Sequence, residues 1–439
     1  MSELPHSPQR LVLRNARLLD GLAAPRDAMA VVVEGERIAA VEPDAAVRAR
    51  PGDRVVDLAG RTLMPGMFSC HFHSVFEGVT PIAAPATGLH LPPAYLALVA
   101  GKNARTALEC GVTSVIGSST AYSIDASLKQ AIEDGLQPGP RMLAGSSELC
   151  ATGDVPTGSM VNWHMDLGNL GVIRTADGPV GFQGLVRDEI RKGADVVKVS
   201  VTKGHAASVC DDELSLDEDE LDAIVRAAHA RGKRVRAHTV SKAGILACVR
   251  AGVDLLDHVD QLDTECIDAI AERDLTIVPS LMYCVRTLQV FDAGMMAPFL
   301  PDPVPPIFLE VMDQMREDVA NISAMLAPAN AAGVRIVTGD DYGTGYLFHG
   351  EYGVELTYYV KECGIAPLDA LRWATRAGAE AMGRADELGT IEVGRLADLV
   401  VVDGDPVADI QCLESRDNVL AVLKGGVFEK DRLAGLAAS

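Results

Sequence analysis

From about residue 67 to residue 338 a short run rich in Val, Ile and Leu is followed by a stretch with helical spacing, and the alternation recurs through eight runs. After the run ending at Phe68 come Val112 to Ile116, Arg141 to Ala144, Val196 to Val201, Val235 to Thr239, Leu255 to Val259, Thr276 to Ser280 and Arg335 to Thr338. Strands joined through helices pair in parallel, because each crossover brings the chain back to the end it left. Eight such units predict an α/β fold, a (β/α)8 TIM-like barrel, in which chemistry collects at the C-terminal strand ends. A doubly wound open sheet satisfies the same alternation. The clearest helix pattern spans Leu216 to Arg231, with S-L-D-E from Ser215 as a capping box, a stop at Gly232, and Leu221, Ile224, Val225 and Ala228 on one face.

The flanks follow another rule. Leu11 to Leu19, Ala28 to Val33, Arg37 to Val41, Arg54 to Leu58 and Arg61 to Met64 are strand-like runs broken by turn signals. After about 386, Gly389 to Ile391, Leu399 to Val402, Val419 to Val422 and Gly426 to Phe428 return to that language. Five short strands bury little surface alone, so the two ends are expected to co-fold. The expected domains are a small composite β-sandwich of 1–66 plus 386–439 and a catalytic barrel of 67–385.

A net charge of −22, from 61 acidic and 39 basic residues, argues against nucleic acid or an anionic membrane as partner, since both demand clustered Lys and Arg. The nine cysteines are scattered, odd in number and free of any C-x-x-C pair, which argues against a disulfide framework or zinc knot. The N-terminus shows no charged-then-apolar signal pattern, and no apolar run reaches membrane-spanning length, so a cytoplasmic location is expected.

The strand ends hold the candidate chemistry. His71 and His73 sit two apart after the first run, on one face of a strand. Neutral imidazole is a common metal ligand, yet a pair alone is equally a structural feature of a strand end. The fourth run, A-D-V-V-K-V-S-V, buries Lys198 among apolar residues, and a buried ammonium needs a role. That role is either an ion pair with a buried carboxylate or carboxylation of the amine, giving an anion that bridges two metals. His238 ends the fifth run, His258 the sixth, and Asp340 and Asp341 the eighth. Adjacent carboxylates on a strand face opposite ways, so one of the two points into the site.

With these residues the chain resembles the amidohydrolase superfamily, and within it the imidazolonepropionase-like group that includes Xaa-Pro dipeptidases and ochratoxin-degrading amidases. P-G-M-F-S-C-H-F-H is similar to the strand-one motif, A-G-V-D-L-L-D-H to the strand-six segment, and L-G-T-I-E-V-G-R-L-A-D-L-V-V-V-D-G-D-P to the closing tail. The resemblance covers nearly the whole chain. It implies two divalent metal ions, zinc in the first instance. His71, His73 and Asp341 would hold one and His238 and His258 the other, with a CO2-derived carbamate on Lys198 bridging. It further implies a metal-bound hydroxide that attacks an amide C–N bond, with Asp341 as catalytic acid and base, and a homo-oligomer. Ungapped matching to A-G-V-x-I-x-x-G-T-D-x-G favours Asp341 over Asp340 as ligand. Three departures stand out: Ser69 where Asp is common, D-H-V for E-H-G, and Asp340 for Thr.

Substrate contacts are expected from the loops beyond the strands. Tyr283 resembles a substrate-contacting residue of the dipeptidase-like members, with His205 and His349 next, and the stretch 147–185, with Asn162, Trp163 and His164, is expected to cap the site. Lys203, His205 or Arg286 would receive a substrate carboxylate. The expected small-molecule substrate is a dipeptide or N-acyl amino acid, the alternative a carbamate, urea or other xenobiotic amide. A ring deaminase is disfavoured because Ser241, three after His238, stands where those enzymes commonly carry Glu; a catalytically inactive barrel is the remaining class.

Overall fold

In the computed structural model, residues 10–78, 91–154, 171–205, 208–210 and 212–433 are described. The eight alternating runs form barrel strands at Met67–Phe72, Val112–Gly117, Arg141–Leu143 continued by Gly145–Cys150, Val196–Ser200, Arg234–Thr239, Leu255–His258, Thr276–Val278 and Arg335–Ile336. Strands three to eight pair in parallel, and strands one to three do likewise. Closure comes from beyond the eighth ladder: the Cys70 amide donates to the Thr338 carbonyl at 2.7 Å, and Thr338 Oγ1 donates to the Phe68 carbonyl at 2.9 Å. Strand eight thus borders strand one, and the open sheet is excluded.

Two local expectations are corrected. The helix after strand four runs Glu218–His229, and its capping box is Asp217 with Glu220, not Ser215. Ser215 lies two residues before that N-cap and donates its hydroxyl to Asp154. The stretch 147–185 is not one loop: strand three extends to Cys150, Ile173–Thr175 pairs alongside it, and a helix follows at Gly178–Arg191. Asn162, Trp163 and His164 lie outside the described residues.

The terminal segments meet in one eight-stranded sheet. Leu399–Val402 lies antiparallel between Thr62–Pro65 and Val419–Lys424, which pairs onward with Val427–Asp431. On the other side of Thr62–Pro65 lie Leu11–Leu18, Arg26–Glu34 and Arg37–Pro43, while Arg54–Asp57 pairs with Leu11–Leu18. Leu13, Leu18, Val31, Leu63, Leu399 and Val401 share an apolar cluster there, distinct from the barrel core. Gly389 to Ile391 is not a strand; Ile391 donates its amide to the Asp20 carbonyl instead.

A buried imidazole and carboxylate centre

The strand order brings residues far apart in sequence to one end of the barrel. His71 and His73 project from strand one onto Asp341, just past strand eight, with Nε2 to Oδ1 distances of 3.1 and 2.9 Å. Their two Nε2 atoms are 3.2 Å apart. Asp340 turns away: its carboxylate accepts from the amides of Met282 and Tyr283 and caps the helix Met282–Asp292. Of the two adjacent carboxylates, Asp341 is the one beside the imidazoles, in the loop just past strand eight.

The proton positions follow from the partners. Ser280 donates its hydroxyl to the Gly339 carbonyl at 3.1 Å, so at 2.7 Å it accepts from His71 Nδ1. His73 Nδ1 donates to the Ser119 carbonyl at 3.1 Å. Burial drives the His71 pKa down to about 3, so this imidazole is neutral. With Nδ1 protonated, its Nε2 presents a lone pair to a carboxylate oxygen. Two acceptors at hydrogen-bond distance repel unless a cation lies between them. Burial alone would raise the Asp341 pKa, but positive charge at the imidazole positions around it, His71 first, holds it well below the usual carboxylate range; with the His71 ring neutral, a bound cation would supply that charge.

A second group adjoins the first. His258 and His238 lie with ring centroids 4.6 Å apart, and His205 lies 3.6 Å from His258. His205, His258 and Asp341 each offer a ligand atom within 4.8 Å of the others, as do His71, His73 and Asp341. Burial holds the pKa values of His238 and His258 well below the ordinary range, and His258 Nδ1 is buried with no hydrogen-bond partner among the described residues. His205 goes the other way: burial lowers its pKa, yet Cys284, Asp260 and Asp341 raise it well above the ordinary value. Positive charge is favoured at that ring. Lone-pair nitrogens converging on one carboxylate, with an orphaned buried imidazole beside them, are a donor set that suits a divalent transition metal.

Lys198 is held beneath this layer. Its Nζ lies 2.6 Å from Asp257 Oδ2, so the carboxylate partner is the Asp of D-H-V. Arg236, wholly buried two residues before His238, also grips Asp257, Nε to Oδ2 at 3.0 Å and Nη2 to Oδ1 at 2.6 Å, and donates to the carbonyls of Cys70 and Gly117. Neither Arg236 nor Asp257 was foreseen as part of the centre. The period-two spacing from Arg236 to His238 was the available signal, since it puts both side chains on the inner face. Ser280, Ser119 and Asp260 were missed as well, because loop residues announce no partner in sequence. Ser69, at the departure from the family pattern, has a buried hydroxyl without a partner among the described residues.

Of the expected substrate contacts, Tyr283 lies near the centre, 5.8 Å from His205 between ring centroids. His349 is engaged elsewhere. Its Nε2 donates to the His73 carbonyl at 3.2 Å and its Nδ1 accepts from Tyr352 at 2.9 Å, so both ring nitrogens have internal partners and the residue braces His73 from behind.

A parallel barrel with histidines and an aspartate converging at its C-terminal mouth defines a metal-dependent barrel hydrolase. Residues 62–428 match the Amidohydrolase family, and the chain belongs to it. Ochratoxinase of Aspergillus niger is 29% identical over 394 residues, covering 84% of this chain and 75% of that one. Imidazolonepropionase of Rhizobium meliloti is 24% identical over 444 residues, covering 93% and 94%. A Xaa-Pro dipeptidase solved with methionine in its active site superposes with a TM-score of 0.83 at 27% identity, covering 95% of this chain and 99% of that one. The protein is a hydrolase acting on C–N bonds.

Proposed function

We propose that the protein hydrolyses an amide whose leaving side is an amino acid, either a dipeptide or an N-acyl amino acid. The observation that carries this reading is the convergence of His71 Nε2 and His73 Nε2 on Asp341, a donor set whose lone pairs require a cation. Two divalent ions, zinc by donor chemistry, would be held by His71, His73 and Asp341 on one side and by His238 and His258 on the other. Such ions lower the pKa of a bound water and polarise the scissile carbonyl. Asp341 takes the proton of the attacking water and returns it to the leaving nitrogen. Tyr283 donates its hydroxyl to the substrate, and Arg286, three residues on and so near it on the same helix, receives the carboxylate of the leaving amino acid. The dipeptidase and ochratoxinase relatives support that class.

A carbamate on Lys198 is part of the proposal. Its support is that Asp257 is doubly compensated: when the ammonium is consumed, Arg236 still satisfies both carboxylate oxygens of Asp257, and the negative charge of the carbamate would be met by the two ions. Labelled bicarbonate, followed by carbon NMR with a Lys198→Ala control, tests it. We also assign 1–66 and 386–439 to one sandwich-like domain on the 67–385 barrel, supported by the separate apolar cluster of the terminal strands. A cytoplasmic location is supported by nine free cysteines, eight of them buried, which are at home in a reducing compartment. Among the described residues no helix is long and apolar enough to cross a membrane.

The test is a screen of the zinc-loaded protein against dipeptides, N-acyl amino acids, their carboxamide-capped counterparts, and aryl carbamates and ureas. Metal-dependent cleavage that prefers the free carboxylates is the expected result. Preference for the neutral carbamates or ureas reassigns the substrate class, and hydrolysis that survives full metal removal overturns the reading.

A further inference from the structure

We propose that His205 is itself a metal ligand, completing the second position from the loop after strand four. This rests on the reading of the centre as a metal site, and adds a residue that lies outside all six motif positions.

Three observations carry it. The first is orientation. His205 repeats the arrangement of His71 and His73: its Nδ1 is fixed from behind, here by Asp260 Oδ2 at 3.0 Å, and its Nε2 is aimed at Asp341, 3.5 Å from Oδ2. A ring whose far nitrogen is oriented by a buried carboxylate is the usual setting of a ligating histidine. Asp341 meets the two sets with different oxygens, Oδ1 toward His71 and His73 and Oδ2 toward His205. The second is the neighbour. His205 packs on His258 with ring planes 30° apart, and His258 has the buried nitrogen without a partner. The two imidazoles and the carboxylate each offer a ligand atom within 4.8 Å of the others. The third is how firmly the pair is held. His205 occupies the left-handed region at φ 49°, directly after Gly204, a conformation a residue with Cβ adopts only when its surroundings enforce it. Asp260 is pinned in turn by Asn321, whose side-chain amide donates to the carbonyls of Asp260 and Leu262 from the long helix Pro306–Ala331. With His205 the second position has three imidazoles and a carboxylate, whether or not Lys198 carries a carbamate.

The experiment uses chelator-stripped full-length protein titrated with Co2+ alone and followed by visible absorption and metal analysis. The wild-type chain is expected to take up two equivalents. His205→Asn should weaken the second equivalent by about 10–100-fold and leave the first unchanged, and Asp260→Asn should weaken the second by about tenfold. His205→Cys in a Cys284→Ser background, which removes the thiol beside His205, should produce a thiolate-to-cobalt charge-transfer band in the near ultraviolet that the background chain lacks, a gain of signal that places position 205 on the ion. Retention of the first equivalent shows that a variant is folded; where His205→Asn fails that check, Asp260→Asn and His205→Cys decide. Two equivalents bound with wild-type affinity by the Asn variants, and no new band in the Cys variant, overturn the proposal while leaving the metal site standing. Failure of the wild type to bind cobalt at all overturns the site reading and this inference together.

Discussion

Asp340 and Asp341 are neighbours with opposite environments. Asp341 faces the imidazoles and its pKa is held well below the ordinary carboxylate value, whereas burial, Glu355 and Asp341 itself hold the Asp340 pKa well above it. Asp341→Asn is expected to lower kcat by about 10²–10⁴, the usual worth of a positioned acid and base, while some metal stays bound. Asp340→Asn keeps an acceptor for the Met282 amide and should have a much smaller effect on kcat. Steady-state kinetics beside metal analysis separates the two, and a larger loss in the Asp340 variant would exchange their roles. That Asp341 and not Asp340 faces the imidazoles was the expectation from the motif match, and the structure places its carboxylate beside His71 and His73. The partner of Lys198 was not legible in sequence, since nothing in D-H-V says that Asp257 faces inward beneath His258.

Between elements, the barrel interior is tied by ionic pairs. Arg236 spans from strand five to Asp257 on strand six and to carbonyls on strands one and two. Removing one member of a buried pair strands the other, so Arg236→Met should cost about 3–5 kcal/mol in urea unfolding. A loss below about 1 kcal/mol would show that Lys198 alone suffices for Asp257. Strand eight is tied to the helix Tyr352–Lys361 by Glu355, which accepts from the Gly339 amide at 2.9 Å and the Tyr359 hydroxyl at 2.8 Å. Burial lifts its pKa from 4.5 to about 7. The folded state therefore favours the protonated carboxyl: this contribution is complete below the unfolded value and is lost as pH rises through the folded one. Glu355→Gln, always neutral, should gain on the wild type as pH climbs from 4.5 to about 7, with a ceiling of roughly 3 kcal/mol. A difference in urea midpoint that stays flat across that window refutes the assignment.

For the whole molecule, the centre joins strands one, five, six and eight, so an ion bound there stabilises the closed barrel. At metal concentrations 100-fold above Kd the linkage is worth about 2.7 kcal/mol, and chelation should lower Tm in calorimetry accordingly. The terminal sheet is equally a property of the whole chain. Leu399–Val402 supplies one neighbour of Thr62–Pro65, so a chain ending before Leu399 would bare the edge and apolar face of that strand; it is expected to be insoluble on expression. Sequence alone determined the local terms here: strand and helix periods, eight alternations, the inward spacing of His71 and His73, and β character at both ends. Those follow from backbone geometry within a few residues. Only the tertiary structure decided that Thr338 closes the ring onto Cys70, that Asp257 takes Lys198 and Arg236, and that His205 turns inward onto His258. Such meetings depend on where a loop returns after tens of residues, and packing and charge compensation, not local period, select among the partners.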